Sequence, residues 1–524
     1  MMNMDAITSA AEITRHMANR MGDATALVFK DRETTYKELD SRASKVANGL
    51  IQDGCKPDAR VGFMGKNSDH FVDILFGTFK ANTVMVGVNW RLAGPEVEYV
   101  LNDAKVETLF VGQDFMPLVE SIKDNVPTLR TVIAIDGGHD DWPSFEAWRD
   151  QQPDTDPMLE AKGDADVIQL YTSGTTGHPK GVQLTNDNYM VLFNQAVEAG
   201  WADYNEGESN LVCMPFFHVA GVNIAMMGLA QGCRNFILED VDPMEIVRLM
   251  EEENLNIAFM VPAVILFVMQ VLAQKPDADI SSVRKVIYGA SPIAEDLLKS
   301  AQDRFGCEFI QVYGLTETTG GGTYLPPDAH DPARGKLRSC GLPYPGTEIR
   351  VIDDNGQECA QGAVGEIQIR SGYIMKGYWN RPEATAEAVD AEGWFKSGDA
   401  GYFDEEGFLY IHDRVKDMIV SGGENVYPAG VENALFSHPK LADVAVIGVP
   451  SEKWGEAVKA VVVVEAGEEV SAEDIIAFAK EKIAGYKVPK SVDFIAELPR
   501  NPSGKILRRE LRDPYWEGHD RKVG

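Results

Sequence analysis

The length, composition and charge of the chain exclude several classes of protein. Its 524 residues exceed what one ordinary hydrophobic core accommodates, so two or more domains are expected. A hydrophobic content of 44% and a charged content of 25% are ordinary for a globular protein, whereas 49 Lys and Arg against 81 Asp and Glu give a net charge of −32. That charge argues against broad binding to nucleic acids or to anionic membranes, although a local basic site is still allowed.

The cysteines and the most apolar segment predict a cytoplasmic protein without a transmembrane segment. Six scattered cysteines without a C-x-x-C pair favour reduced, buried thiols. The N-terminus carries no apolar signal core, and the C-terminal Lys-Val-Gly is not a peroxisomal tripeptide. The most hydrophobic stretch, 255–273, is interrupted by Asn256, Pro262 and Gln270. We therefore predict a buried strand that ends near Pro262 and a core helix after it.

The first part of the chain has the pattern of an open α/β sheet. Residues 24–135 alternate short apolar runs with helical patterns, such as Leu39, Ala43, Val46 and Leu50. The polar stretch 136–166 follows and is predicted to be a surface excursion.

The next segment, YTSGTTGHPKGV (171–182), combines hydroxyls, glycines and one lysine in the manner of a phosphate-binding loop. The common loop of this kind, G-x-x-x-x-G-K-[ST], opens directly into a helix. Here DVIQLYT and KGVQLT on either side both predict strands, and a helix begins only near Asn186. Lys180 also follows a proline rather than a glycine. The segment is therefore predicted to lie at the tip of a hairpin and to belong to a different class of phosphate binder.

The remaining sequence predicts a change from α/β to β-rich structure and then a compact C-terminal unit. Short strands with Gly and Pro turns predominate between about 335 and 412, and a helix with a possible capping box from Ser471 to Asp474 lies near the end. The predicted domains are an N-terminal domain at 1–413, containing α/β layers at 24–135 and 160–330 and a β-rich unit at 331–412, a hinge at 413–417, and a C-terminal lid domain at 418–524.

Six further motifs accompany the loop in a fixed order: PFFHVAG (215–221), YGASPI (288–293), QVYGLTE (311–317), GWFKSGD (393–399), DRVKDMIVSGGENVYP (413–428) and PRNPSGKILRREL (499–511). In order and spacing they resemble the adenylate-forming superfamily of acyl-CoA synthetases, peptide-synthetase adenylation domains and luciferases. The resemblance covers essentially the whole chain and is nearest to the bacterial fatty-acyl-CoA and aryl-acyl-CoA ligases.

This resemblance implies a fold and an activity. The expected fold is a large N-terminal domain of two α/β sheets plus a small β-barrel-like unit, with a small, mobile α+β C-terminal domain. The expected enzyme is an AMP-forming acid–thiol ligase that uses ATP, Mg²⁺ and coenzyme A. It activates a carboxylic acid as an acyl-adenylate with release of pyrophosphate, and then transfers the acyl group to CoA with release of AMP.

The resemblance also implies roles for residues at the nucleotide. The residues expected to hold the β- and γ-phosphates are Thr172, Ser173, Gly174, Thr175, Thr176, Gly177 and Lys180. Those expected to line the adenine slot are Gly289, Ala290, Ser291, Gln311, Val312, Tyr313 and Gly314, with Tyr313 stacking on the base. Asp399 and Arg414 would bind the ribose. Thr316 would contact the α-phosphate, and Glu317 together with Thr176 would hold Mg²⁺.

A second set of residues is expected to carry the two half-reactions. Lys505 would bridge the carboxylate and the α-phosphate during adenylation, and Lys416 would be the hinge about which the small domain rotates. The residues expected to line the CoA channel are Ser421, Gly422 and Gly423, and those expected at the acyl pocket are His218, Gly221, Gly289 and Gly320.

Other functions are weighed against this one. A stand-alone adenylation enzyme that loads a carrier protein is an alternative, and a luciferase-like oxygenase shares the same motifs. A serine hydrolase would require G-x-S-x-G and a dehydrogenase G-x-G-x-x-G, and neither pattern occurs in the sequence. A non-catalytic relative would be expected to lose Lys505, Glu317 or Asp399, and all three are present.

The acid that is activated is less well defined. The segments expected to form the acyl pocket are apolar and carry small residues, and no arginine stands out there to bind a second carboxylate. We predict a medium- or long-chain fatty acid, with an aryl or phenylpropanoid acid such as a feruloyl or coumaroyl group as the alternative. The expected partners are therefore small molecules, namely the acid, ATP and CoA, with no nucleic acid; a homodimer is left open.

Overall fold

A computed structural model describes residues 7–172, 179–353, 355–414, 417–421, 424–451, 453–483, 485–500 and 506–517. Its strands are β1 (Thr25–Phe29), β2 (Arg32–Thr35), β3 (Arg60–Met64), β4 (Val84–Gly87), β5 (Val106–Gly112), β6 (Thr131–Ile135), β7 (Asp166–Thr172), β8 (Lys180–Thr185), β9 (Ser209–Val212), β10 (Arg234–Ile237), β11 (Leu255–Met260), β12 (Lys285–Gly289), β13 (Glu308–Gly314), β14 (Gly322–Leu325), β15 (Leu342–Pro343), β16 (Glu348–Ile352), β17 (Gly365–Arg370), β18 (Gly377–Tyr378), β19 (Phe395–Phe403), β20 (Leu409–Arg414), β21 (Ile419–Ser421), β22 (Glu424–Val426), β23 (Leu441–Ser451), β24 (Gly455–Val464) and β25 (Ser491–Phe494).

The α-helices are α1 (Glu12–Met21), α2 (Tyr36–Gln52), α3 (Asp69–Lys80), α4 (Gly94–Ala104), α5 (Met116–Ile122), α6 (Phe145–Asp150), α7 (Asn186–Glu198), α8 (Val219–Ala230), α9 (Pro243–Glu252), α10 (Pro262–Gln274), α11 (Glu295–Phe305), α12 (Pro382–Ala388), α13 (Pro428–Phe436), α14 (Ala472–Lys482) and α15 (Arg508–Trp516).

Two large sheets form the N-terminal domain, as the α/β prediction requires. The first has the strand order β18-β8-β7-β4-β3-β5-β6, and the second β15-β14-β13-β12-β11-β9-β10-β1-β2. The inner strands of both sheets are parallel, and antiparallel strands close the edges at β8 and β18, at β14 and β15, and at β2. Parallel strands place their carboxyl ends at one edge of a sheet, where open α/β folds bind their ligands.

The two sheets exchange strands along the chain. The segments 24–135 and 160–330 do not each build one sheet, because β1 and β2 pair with β10 of the second sheet, whereas β7 and β8 join the first sheet beside β4. The strand boundaries follow from local sequence patterns, but which strands pair is determined by contacts between residues that are far apart in the sequence.

Two smaller antiparallel units follow. The β-rich unit is a sheet with the order β16-β17-β19-β20. The C-terminal unit has the order β22-β21-β24-β23 with β25 parallel to β24, and α13 and α14 pack on it around Val444, Val458 and Ile475. The predicted capping box of α14 is confirmed, since Ser471 and Asp474 exchange hydrogen bonds between side chain and backbone.

The hydrophobic stretch 255–273 forms β11 and α10, with α10 beginning at Pro262 as predicted. Among the described residues, the structure contains no helix of the length and apolar character needed to cross a membrane.

The stretch 136–166 contains more buried structure than the surface excursion that we predict. It includes α6, whose Phe145 and Trp148 are buried, with Trp148 packed on Gly49 of α2 and donating a hydrogen bond to Asp53 (Nε1 to Oδ2, 2.9 Å). A helix of six residues is too short to show a helical repeat of apolar positions, so the polar composition around it dominates the pattern.

Asp156 in the same stretch closes a buried ion cluster with Lys80 at the end of α3. The Lys80 Nζ donates to Asp156 Oδ2 (2.6 Å), to Asp40 Oδ1 (2.6 Å) and to Ser44 Oγ (3.0 Å), and Arg15 pairs with the same Asp156 carboxylate at 2.8 Å. Burial opposes ionisation of Asp156, but Arg15 and Lys80 outweigh it and hold its pKa well below the ordinary value.

Replacing Lys80 with methionine is expected to lower the free energy of unfolding by about 3–5 kcal/mol, because two carboxylates would lose a buried cation. Urea denaturation monitored by tryptophan fluorescence measures the effect, with the exposed Lys37→Met in α2 as the control. A loss equal to that of the control would show that the cluster contributes nothing to stability.

Candidate active site

The residues predicted to bind the nucleotide gather at the carboxyl ends of the parallel strands. In the second sheet, Gly289 ends β12 and Gly314 ends β13, and His218 lies beyond β9. In the first sheet, Thr172 ends β7 and pairs in register with Lys180 of β8, which confirms the hairpin around the loop. The carboxyl ends of β7 and β13, from the two sheets, lie next to each other, since Thr172 contacts Glu317.

Glu317 lies where the two sheets meet. It follows β13 in a short 3₁₀ turn, Thr316–Thr318. Its Oε1 accepts hydrogen bonds from the Tyr378 hydroxyl (2.9 Å) and from Thr172 Oγ1 (3.3 Å), which both belong to strands of the first sheet. Among the described residues, these contacts engage one carboxylate oxygen, so the other can accept a cation or a donor.

Tyr378 contacts Glu317 and belongs to none of the sequence motifs. It pairs with Val182 in the two-residue strand β18, and the Lys180 Nζ lies 4.8 Å from the centre of its ring. Burial and the neighbouring Glu317 raise the pKa of Tyr378 far above its ordinary value, so the phenol stays protonated as a donor. In the sequence, Tyr378 lies in the short run Gly377-Tyr378-Trp379. The spacing of apolar residues there does not distinguish this run from an ordinary core strand.

Tyr313 and Asp399 are brought together from different sheets. The Tyr313 hydroxyl donates to Asp399 Oδ2 (2.8 Å), while the Asp399 backbone N–H donates to Ser397 Oγ (3.1 Å). Burial and Asp399 raise the pKa of Tyr313 well above its ordinary value, so its hydroxyl is a fixed donor. Asp399 is 6% exposed and Tyr313 is half-buried, so the pair forms a partly accessible polar wall.

The backbone around this wall is close-packed. A Cβ at Gly314 would lie 2.2 Å from the Gly320 carbonyl oxygen, and one at Gly289 would lie 2.3 Å from the Val312 carbonyl oxygen. Beyond Gly289, Ala290 adopts a φ of +66° and is exposed. Ser291 is half-buried beside it, and Gln311 donates from Nε2 to the sulfur of Cys340 (3.8 Å).

His218 stands at the N-terminus of α8. Its Nε2 is buried and has no hydrogen-bond partner among the described residues. Burial, with a smaller contribution from Arg91, lowers the pKa of His218 to about 4, so the ring is neutral near pH 7. A neutral, unpartnered imidazole nitrogen is suited to a polar contact with a bound substrate.

Two glycines predicted at the acyl pocket make close contacts within the fold. A Cβ at Gly221 would lie 2.3 Å from the Pro215 carbonyl oxygen. Gly320 has a φ of +86°, and a Cβ there would lie 2.9 Å from Asn223 Nδ2. Close packing therefore accounts for glycine at both positions. A role of Gly221 and Gly320 in an acyl pocket stays a prediction.

Comparisons with known proteins show the family of the chain. A family model described as AMP-binding enzyme matches residues 14–379, and one described as AMP-binding enzyme C-terminal domain matches residues 430–505. The chain belongs to the AMP-binding enzyme family.

Individual members of the family match along nearly the whole chain. A fatty acid–[acyl-carrier-protein] ligase of Streptomyces coeruleorubidus is 39% identical, covering 99% of this chain and 98% of the relative. A feruloyl-CoA synthase of Amycolatopsis is 37% identical, covering 93% of this chain and 95% of the relative. The solved structure of a Mycobacterium tuberculosis fatty acyl CoA synthetase is 34% identical, with a TM-score of 0.78, covering 98% of this chain and all (100%) of that chain.

The predicted superfamily, its fold and the acid–thiol ligase class of enzyme are confirmed by these matches. The domain boundaries and the roles of individual residues stay predictions. Several predicted residues of this AMP-binding enzyme lie outside the described part of the chain, namely Ser173, Gly174, Thr175, Thr176, Gly177, Lys416, Gly422, Gly423 and Lys505. Arg414 is described by its backbone, which pairs with Asp399 between β19 and β20, and Ser421 is buried in β21.

A cleft of about 460 Å³ lies elsewhere on the second sheet. Its lining includes Arg284 just before β12, Cys307 just before β13 and Glu308 at the start of β13, so it opens at the amino ends of these strands. Because ligands of open α/β sheets bind at the carboxyl ends, we assign the active site to the region of Glu317.

Replacing Tyr378 with phenylalanine is expected to lower kcat for acyl-adenylate formation roughly tenfold, because one hydrogen bond to a charged group is lost. The KM for the acid should not change, because the hydroxyl contacts Glu317 rather than the substrate. Tyr402→Phe is the matched control, since Tyr402 stacks on Tyr410 in the β-rich unit. A Tyr378→Phe effect that simply adds to that of Glu317→Ala, which removes the acceptor, would contradict this positioning role.

Proposed function

We propose that this AMP-binding enzyme is an ATP-dependent acyl-CoA ligase. It activates a carboxylic acid as an acyl-adenylate with release of pyrophosphate, and then transfers the acyl group to coenzyme A with release of AMP. The observation that carries the proposal is the position of Glu317, whose carboxylate contacts both Thr172 at the end of the loop strand and Tyr378. The acid is proposed to be a medium- or long-chain fatty acid.

The first half-reaction requires the chain to hold phosphoryl charge. A carboxylate oxygen of the acid attacks the α-phosphorus of ATP, and the bond from that phosphorus to the bridging oxygen of pyrophosphate breaks. Negative charge concentrates on the phosphoryl oxygens, so catalysis depends mainly on positioned donors and cations. The proposed donors are Thr172, Thr316 and the loop hydroxyls, and the proposed cations are Lys180 and Lys505.

Mg²⁺ fits this site, because it is usually bound by one or two carboxylates together with substrate phosphates. Glu317 would hold it with Thr176, and the ion would neutralise phosphate charge when bound. Tyr378 and Thr172 fix the orientation of the Glu317 carboxylate through hydrogen bonds at 2.9 and 3.3 Å.

The nucleotide end of the site is proposed to be the wall formed by Tyr313 and Asp399. The half-buried Tyr313 ring offers a face on which adenine can stack, and its hydroxyl is engaged by Asp399 (2.8 Å). The Asp399 carboxylate would accept from the ribose hydroxyls beside it. Arg414, which pairs with Asp399 through the backbone, would assist.

The second half-reaction transfers the acyl group. The sulfur of CoA attacks the acyl carbonyl carbon and the thiol proton passes to solvent. The bond from that carbon to the phosphate oxygen of AMP breaks, so AMP leaves with that oxygen. Rotation about Lys416 is proposed to withdraw Lys505 and to bring Ser421 to Gly423 to the site. The neutral His218 would lie beside the reacting carboxyl group.

Loading of a carrier protein is the second candidate function. It is favoured by the relative named as a fatty acid–[acyl-carrier-protein] ligase, which is 39% identical over 99% of this chain. Both candidates share the adenylation step, and they differ in whether the accepting thiol belongs to CoA or to a protein-bound phosphopantetheine arm.

One assay separates these candidates and identifies the acid. AMP release is measured with ATP and Mg²⁺ across octanoate, laurate, palmitate, benzoate and ferulate, with free CoA or with a phosphopantetheinylated carrier protein as the acceptor. The proposal predicts the fastest release with a straight-chain acid and free CoA. Fastest release with ferulate would establish the aryl alternative, and release that requires the carrier protein would establish the second candidate.

A further inference from the structure

A cluster of metal-ligating side chains lies at the edge of the first sheet formed by β6, across the sheet from β18 and Tyr378. It contains His70 from the first turn of α3, Asp136 directly after β6 and Glu146 near the start of α6. The imidazole Nε2 lies 3.5 Å from Asp136 Oδ1 and 3.2 Å from Glu146 Oε1, and the three ligand atoms lie within 4.8 Å of one another.

The ring nitrogens of His70 lie near carboxylates but without hydrogen-bond geometry to them. The residue is 4% exposed, and neither ring nitrogen has a partner of hydrogen-bond geometry among the described residues. A buried imidazole normally donates or accepts a hydrogen bond, because an unpaired buried polar group is costly. Its Nε2 instead lies within 3.5 Å of two carboxylate oxygens, one from Asp136 and one from Glu146.

Two of the three spacings in this cluster match those of ligands around a small metal ion. Tetrahedral zinc sites have bonds of about 2.0–2.1 Å to nitrogen and oxygen, which places neighbouring ligand atoms about 3.3 Å apart. The two distances from Nε2 agree with that value. Imidazole nitrogen and carboxylate oxygen are both ligand types that Zn²⁺ accepts.

The surroundings leave these three groups available to a cation. The neighbouring arginines are paired with other carboxylates, Arg32 with Asp69 and Arg149 with Asp73. Asp73 Oδ2 also lies 4.0 Å from Nδ1 of His70, near the ring nitrogen that a second carboxylate commonly orients in metal sites.

We propose that His70, Asp136 and Glu146 bind one divalent transition-metal ion of the zinc type, with solvent in the remaining coordination position. Asp136 and Glu146 are 44% and 45% exposed, which leaves an open side for solvent and for entry of the ion. The ion would hold α3, the end of β6 and α6 together, and this structural site is independent of the ligase reaction.

The test uses the full-length enzyme after treatment with EDTA and dialysis. Isothermal titration with ZnCl₂ is expected to show one site per chain, and the thermal midpoint should rise with zinc because the ion binds the folded state. Glu146→Gln and Asp136→Asn are expected to weaken zinc binding about tenfold or more, and His70→Ala should abolish it. Asparagine suits position 136, where φ is +53°.

His139→Ala is the matched control, because His139 lies in the same region but stacks on Trp142 and faces Glu120. It should bind zinc like the unmodified enzyme. The proposal is overturned if the unmodified enzyme binds no zinc, which is the result expected if His70 is protonated and only forms ion pairs with the carboxylates. It is also overturned if Glu146→Gln binds zinc as tightly as the unmodified enzyme. The half-exposed Glu146 makes that variant decisive even if His70→Ala does not fold.

Discussion

Replacing Lys505 with alanine is expected to abolish acyl-adenylate formation while largely sparing transfer from a preformed adenylate to CoA. In the proposed mechanism Lys505 bridges the carboxylate and the α-phosphate only during adenylation. Removing such a group typically costs a factor of roughly 10²–10³ in the step that it stabilises. Pyrophosphate release measures the first half-reaction, and thioester formation from synthetic acyl-adenylate measures the second.

The control for Lys505 is Lys482→Ala, an exposed lysine on α14 of the same C-terminal unit. It should leave both half-reactions unchanged. Because Lys505 lies outside the described residues, its role rests on the Asn-Pro-Ser-Gly-Lys motif, and equal loss of both half-reactions in Lys505→Ala would refute the assignment.

Replacing Glu317 with glutamine is expected to lower kcat for adenylation roughly 10²-fold and to raise the Mg²⁺ concentration needed for half-maximal rate. The amide oxygen can still accept from Tyr378, so the change removes the negative charge and not the shape of the site. Initial rates of pyrophosphate release over a range of Mg²⁺ concentrations measure both effects.

Glu308→Gln is the matched control for Glu317, since Glu308 begins the strand that Glu317 follows. It should leave the rate and its Mg²⁺ dependence unchanged. An unchanged Mg²⁺ dependence in Glu317→Gln would mean that Glu317 only joins the two sheets.

The local elements of the fold can be predicted from the sequence, whereas the sheet membership of some strands cannot. The hairpin of β7 and β8 and the start of α7 at Asn186 follow from turn residues and apolar spacing within a dozen residues. The placement of β1 beside β10 depends on partners about two hundred residues apart, on which local spacing carries no information.

The candidate site likewise combines residues that can be predicted from sequence motifs with residues that cannot. Glu317 and Asp399 lie in motifs from which their roles are predicted. In the structure, each accepts a hydrogen bond from a tyrosine hydroxyl. Tyr378 lies in a two-residue strand that pairs with β8 at the edge of the first sheet, so its contact with Glu317 depends on long-range pairing that the sequence does not show. His70, Asp136 and Glu146 are similarly scattered over three elements, and no motif links them.

The central claim is that the acid attacks the α-phosphorus of ATP and forms an acyl-adenylate. Oxygen-18 labelling of the carboxylate of the preferred acid tests it most directly. With ATP, Mg²⁺ and CoA, mass spectrometry should find one labelled oxygen transferred from the acid to each AMP released. AMP without label, or label in pyrophosphate, phosphate or ADP, would contradict the mechanism.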